Sequence, residues 1–214
     1  MPTGGTGDQS QARVLLEKGK DLYRTDHDSE AAEAFEQAVK IDPDLAEAHF
    51  RLGLSYEAQN KADEAETEYK KAIEAFKKYV DTNPEDAEAH YQFGQTYAAL
   101  HQYSEAVREY RLATKIRSDD GDMYFDLGMA LTKLARYDEA VAAYSKALEI
   151  DPEDYRSQDA LEEAQQGVAR IKAGKKHQEE LLKKQKEDEL KKAGEPLPGS
   201  VPGKPTPGGQ DKKQ

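Results

Sequence analysis

The sequence contains no cysteine. Disulfides, thiolate metal sites and thiol catalysis are thereby excluded together, although a cysteine-free chain is compatible with more than one compartment. Long apolar runs are missing as well: no stretch approaches the ~20 residues needed to span a bilayer. Met1 to Ser10 (MPTGGTGDQS) lacks the basic start and apolar centre of a secretory signal, so the expected location is cytoplasmic. No glycine-rich loop suited to cradling phosphate is present, and no nucleophile, base and orienting group stand in a recognisable pattern. Residues 26–30 (DHDSE) begin like a calcium loop but lack its glycine at the sixth position and its distant glutamate, and read as an inter-helix turn. No catalytic residue, metal or cofactor is expected, and the chain reads as non-enzymatic.

Charge is what the sequence has in abundance. A content of 36% hydrophobic and 35% charged residues in 214 suits a soluble helical protein of one domain. The net charge of −12 is unevenly spread, because residues 170–214 carry 12 Lys or Arg against 7 Asp or Glu while the rest of the chain carries −17. An acidic body argues against binding a phosphate backbone and favours basic partners. The basic tail, with proline and glycine dispersed through it, reads as a solvated linker, so no nucleic acid is expected as a partner.

The strongest pattern is internal repetition. Gly19, Gly53, Gly94 and Gly128 are separated by 34, 41 and 34 residues. Twelve positions after each stands an alanine (Ala31, Ala65, Ala106, Ala140), and sixteen after it an aromatic (Phe35, Tyr69, Tyr110, Tyr144). Nineteen after it a second alanine follows (Ala38, Ala72, Ala113, Ala147). Small residues let two antiparallel helices approach closely, and the aromatic fills the space against the next unit. A period in this range marks a repeat architecture rather than a single compact core.

These residues, with strings such as AEAHFRLGLSY and YDEAVAAYSKALEIDP, closely resemble the tetratricopeptide (TPR) repeat, a helix-turn-helix unit. The resemblance implies an all-α fold, a right-handed α-solenoid of about four hairpins. Its repeats would occupy residues 12–45, 46–86, 87–120 and 121–154, after a disordered N-terminus at 1–11. Pro43, Pro84 and Pro152 follow the second helices, and Asp42 and Asp151 are candidate N-caps. The family's usual tryptophan is replaced by Leu15, His49, His90 and Tyr124, and Ser118 stands where a proline is expected. His49 and His90 occupy equivalent positions and are expected to pack rather than share a metal.

The second repeat is seven residues longer than its neighbours. Tyr69, Ala72, Ile73, Phe76 and Val80 keep helical spacing, which predicts a second helix prolonged by one or two turns. The extension is either a tolerated insertion or a lip presenting Phe76 and Tyr79. A capping helix is expected at 155–173, with Leu161, Ala164, Val168 and Ile171 covering the last hairpin. A separate charged helix at 174–194 and a disordered Pro/Gly tail at 195–214 follow.

In the family, first helices line a concave face, and the side chains three before and one after the glycine point into it. The resemblance thus implies a groove with Leu16, Phe50, Tyr91 and Phe125 in one row and Lys20, Leu54, Gln95 and Met129 in the next. Six before the glycine stand Arg13, Glu47, Glu88 and Asp122, an acidic row after the first repeat, and two before it Glu17, Arg51, Gln92 and Asp126. Such a groove would take a protein or peptide segment with apolar anchors and basic flanks. The alternative is that the aromatics three before the glycine only pack the stack. The relatives that clamp acidic chaperone tails need a basic cradle, and here the matching positions are Leu16, Lys20, Arg51, Glu88 and Gln92, or, one repeat later, Phe50, Leu54, Gln92, Asp122 and Asp126. Carboxylates there would repel a carboxylate-tailed ligand. The expected role is a protein-binding adaptor; the competing role is a scaffold that self-associates into a homo-oligomer.

Overall fold

Four antiparallel hairpins follow one another in the computed structural model, which describes residues 6–193. They are α1 (Thr6–Arg24) with α2 (Asp28–Ile41), α3 (Ala46–Ala58) with α4 (Ala62–Thr82), α5 (Ala87–Ala99) with α6 (Tyr103–Ile116), and α7 (Gly121–Lys133) with α8 (Tyr137–Ile150). A long α9 (Tyr155–Ala193) comes last. The described residues contain helices and turns only. The repeats and α9 as far as Val168 form one compact unit, and residues from Ala169 onward are a second.

Each hairpin closes on its glycine. A Cβ added to Gly53, Gly94 or Gly128 would fall 2.5, 2.6 or 2.5 Å from a ring carbon of Tyr69, Tyr110 or Tyr144, and Gly19 meets Phe35 in the same way. The four rings are buried. Seven residues after each glycine the chain turns through the left-handed region, at Asp26, Asn60, His101 and Ala135, with φ of 59°, 59°, 58° and 55°. That reversal brings the second helix back along the first.

Several local expectations need correcting. Asp42 and Asp151 do not cap the following helices: they end α2 and α8, and their carboxylates accept from the backbone N–H of Asp44 and Glu153 inside the turn. Side-chain caps are supplied instead by Asp86 to Ala89 N (3.0 Å) and Asp120 to Met123 N (3.3 Å), the residues immediately before α5 and α7. The N-terminal stretch expected to be disordered to residue 11 is helical from Thr6, with Asp8 favourably placed in its first turn. Residues 1–5 and 194–214, and with them the expected tail, lie outside the described residues.

The cap and the charged helix are one helix, not two. Gly174 is open on all sides and flanked by helix formers, so nothing there forces a break. Ala164 is buried, Leu161 and Val168 are half-buried, and Gly167 lies against the ring of Tyr137, whereas Ile171 is exposed. From Ala169 to Lys192 almost every side chain is exposed.

The extended second helix is present: α4 has 21 residues where α2, α6 and α8 have 14. Its added length is divided between packing and surface. Phe76 is buried and stacks on Phe93 of α5 with ring centroids 5.5 Å apart, while Tyr79 stays 40% exposed.

Candidate functional site

The first helices α1, α3, α5 and α7 lie side by side, and their inward rows divide into packing and surface. Leu16 and Phe50 are buried, at 4% and 2% exposure. Phe50, Tyr91 and Phe125 each lean on the aromatic sixteen after their own glycine, Tyr69, Tyr110 and Tyr144, with centroids 6.2, 5.8 and 5.8 Å apart. The row three before the glycine is thus largely spent on the stack, and only Tyr91 and Phe125 remain half-exposed. In the other row Met129 is 45% exposed, and Leu54, Gln95 and Lys20 are intermediate.

A pocket of about 640 Å³ opens between α1, α3, α5 and the end of α4. Leu16, Ala46, Phe76 and Ala89 contribute apolar surface, and Glu17, Asp42, Asp44, Glu47, Asp86 and Glu88 contribute carboxylates, with Arg13 the one basic side chain among the described lining residues. Tyr79 forms part of its wall, and its hydroxyl donates to Asp86 Oδ2 at 3.0 Å, tying the end of α4 to the N-cap of α5. Leu16, Glu47 and Glu88 are therefore brought together, whereas Tyr91, Gln95, Asp122, Phe125 and Met129 lie further along the row of helices.

Most of the acidic row already has counter-ions. Glu47 is 3.2 Å from Lys20 and 3.4 Å from Arg51, Glu88 is 3.2 Å from Arg117, and Asp122 is 2.7 Å from Arg156. These are half-exposed or exposed pairs, which orient side chains more than they stabilise the fold. Arg156 also lies over the ring of Phe125, 4.9 Å from its centroid, and its carboxylate partners Asp122 and Asp154 hold its guanidinium above the usual range.

Asp126 is different. Its Oδ2 accepts from the Tyr91 hydroxyl at 2.8 Å and from Gln95 Nε2 at 3.3 Å, both neutral donors on α5. Burial, with the nearby charge of Asp122, lifts its carboxyl above the ordinary aspartate value despite those two hydrogen bonds and the distant pull of Arg156. The pattern two before the glycine contained Asp126, but nothing in the spacing indicated that it would be set among uncharged donors.

His49 and His90 are buried between helices, not in the groove. His49 Nδ1 is 2.7 Å from Glu68 Oε2 and His90 Nδ1 is 2.8 Å from Glu109 Oε2, while their Nε2 atoms face the carbonyls of Pro43 (3.1 Å) and Pro84 (3.2 Å). No group of three or more ligating side chains suited to a metal is found among the described residues. No described helix is long and apolar enough to cross a membrane.

Comparison with known proteins agrees with this architecture. Tetratricopeptide-repeat profiles match residues 44–119 and 121–154, and a TPR-repeat profile matches residues 19–60. Among solved structures, a crystal structure of MamA protein is similar at 24% identity, covering 90% of this chain and 98% of that one, with a TM-score of 0.55. A second crystal structure of MamA is similar at 26% identity, over 78% of this chain and 96% of that one, with a TM-score of 0.54. No curated protein sequence matches the chain.

Proposed function

The chain belongs to the tetratricopeptide-repeat family, and from that premise we propose that it is a protein-interaction adaptor whose row of first helices holds a segment of a partner protein. The observation that carries this reading is the pocket between α1, α3, α5 and the end of α4, where apolar surface from three repeats meets an acidic rim. Such a surface suits a segment that inserts an apolar side chain and carries basic residues beside it. The prolonged α4 gives the pocket its Phe76 and Tyr79 wall, which the shorter second helices of the other repeats have no residues to supply. No catalytic step belongs to this reading.

The test is capture of partners from the native host by the intact chain and by a Tyr79→Glu/Met129→Glu variant. Both side chains are exposed enough, at 40% and 45%, for the fold to tolerate the change. Phe50 and Leu16 are unsuited to the purpose, because a charge there would disrupt the stack before it disturbed the groove. Partners lost only from the folded variant support the groove; partners retained unchanged move recognition to another face.

A second reading is self-association. It is favoured by exposed apolar side chains on or just beyond the second helices, Leu112, Ile116, Ile150 and Tyr155, the last at 75% exposure. Sedimentation across a concentration range decides it, since a chain that stays monomeric when concentrated is no self-associating scaffold.

A further inference from the structure

We propose that Asp126 is the cation-recognising residue of the groove, receiving the charged end of a lysine or arginine carried by the bound segment. The inference rests on the groove reading above and adds the chemistry that one position selects. Its basis is a contrast within one surface. Glu47, Glu88 and Asp122 each have a Lys or Arg of this chain within ion-pair distance. Asp126 has no such partner among the described residues, although it is the more enclosed carboxylate of its own helix: Asp122 is exposed and Asp126 half-buried.

Taking a carboxylate out of water without a counter-charge is costly, and natural folds pair such groups or neutralise them. Two neutral donors do not supply the missing charge, but they fix the carboxylate. With Oδ2 held by Tyr91 and Gln95, Asp126 cannot turn away, and Oδ1 accepts nothing from the described residues. The nearby Arg156 is occupied by Asp122 and Asp154 and by the face of Phe125. Met129, on the next turn of α7 and 45% exposed, offers an apolar surface for the aliphatic stem of an incoming basic side chain. The body's charge of −17 over residues 1–169 favours the same kind of ligand.

The test uses four fluorescent, end-blocked peptide pools, random except for one central position fixed as arginine, lysine, norleucine or glutamate, with binding read by anisotropy. The full chain is compared with Asp126→Asn, which keeps an acceptor for Tyr91 and the shape of the site, and with Glu30→Gln, an equal loss of charge at an exposed position of α2. The intact chain and E30Q are expected to favour the arginine and lysine pools over norleucine by about tenfold, and D126N to lose that preference. D126N is also expected to unfold at a temperature no lower than the intact chain, an outcome that a purely structural aspartate would not give. Basic preference retained by D126N, or absent from the intact chain, overturns the assignment. Equal binding of all pools that is abolished by Tyr79→Glu/Met129→Glu would leave the groove standing and remove only the role of Asp126. Failure of every pool to bind the intact chain would remove both.

Discussion

His90 and Glu109 meet inside the third repeat, Nδ1 to Oε2 at 2.8 Å, with both side chains withdrawn from solvent. The same contact recurs one repeat earlier between His49 and Glu68 at 2.7 Å. In each pair the second ring nitrogen faces a proline carbonyl, and the second carboxylate oxygen takes Arg108 or Lys71 from the surface. Four groups are thus joined across two helices and the turn before them. Losing the histidine or the glutamate leaves the other buried and unmatched.

Replacement of Glu109 by alanine is accordingly expected to cost about 1–3 kcal/mol, the usual penalty for leaving a buried hydrogen-bonding group without its partner. Replacing both His90 and Glu109 by leucine is expected to recover most of that loss, because no buried polar group then lacks a partner. Urea denaturation of the double variant, of Glu109→Leu and of His90→Leu completes the cycle. Equal losses in the single and double variants would show that packing volume, not the pairing, holds these helices together.

This device also marks the limit of what could be read from the chain alone. Glycine, alanine and aromatic positions were legible because every repeat obeys the same close-approach geometry, so four copies reinforce one another. The histidine pairs had a signal of their own that periodicity does not expose. Repeats with histidine four before the glycine have glutamate fifteen after it, Glu68 and Glu109, whereas those with Leu15 and Tyr124 have Ala34 and Ala143. The groove was less legible, since Leu16 and Phe50 occupy positions that face inward in the pattern yet are buried against Phe35 and Tyr69 once the helices close. The role of Asp42 and Asp151 is not legible in the sequence because an aspartate before proline can serve the turn as well as the next helix, and only the backbone path distinguishes the two.

Two carboxylates should pull stability in opposite directions with pH. Burial opposes ionisation of Glu68, but hydrogen bonds from His49 and Lys71 outweigh it and hold the carboxyl below its usual range. Its contribution is present above the unfolded value and is lost as pH falls through the lower folded one. Asp126 is raised, mainly by burial, so the folded chain binds a proton more readily there than the unfolded chain. Its contribution falls as pH climbs from the ordinary aspartate value through the raised one. Subtracting the pH–stability profile of D126N from that of the intact chain should isolate a limb descending with pH. An ascending or flat difference would contradict the burial argument.

Ala135 is a position at which the fold works against its residue. It turns the fourth hairpin at φ 55°, where the first three use Asp26, Asn60 and His101. Alanine has neither the freedom of glycine nor a side chain able to bond locally, and the left-handed conformation costs it roughly 1–2 kcal/mol. Ala135→Gly is expected to stabilise by about 1 kcal/mol, less than that full strain because glycine also enlarges the unfolded ensemble. A calorimetric midpoint unchanged or lowered in A135G would refute this. Asn60→Ala, which places alanine at the equivalent left-handed turn, should lower it.

The glycine contacts permit a test of whether helix spacing is set by the small residue or by the ring opposite it. A methyl group on Gly94 would enter the face of Tyr110, whose ring carbons lie 2.6 Å from the added Cβ. Tyr110 is buried and packs against Tyr91, 5.8 Å away between centroids, so it has little freedom to yield. Gly94→Ala alone should therefore destabilise by about 1–3 kcal/mol, despite alanine's better helix propensity. If the conflict is local, adding Tyr110→Leu should reduce the penalty of G94A relative to the same change in a chain that keeps the tyrosine. If instead the two losses simply add, the backbones of α5 and α6 must be separating as a whole. In that case a shift of α5 should also disturb the hydrogen bonds from Tyr91 and Gln95 to Asp126, and the two single variants would differ in their binding of basic peptides as well as in stability.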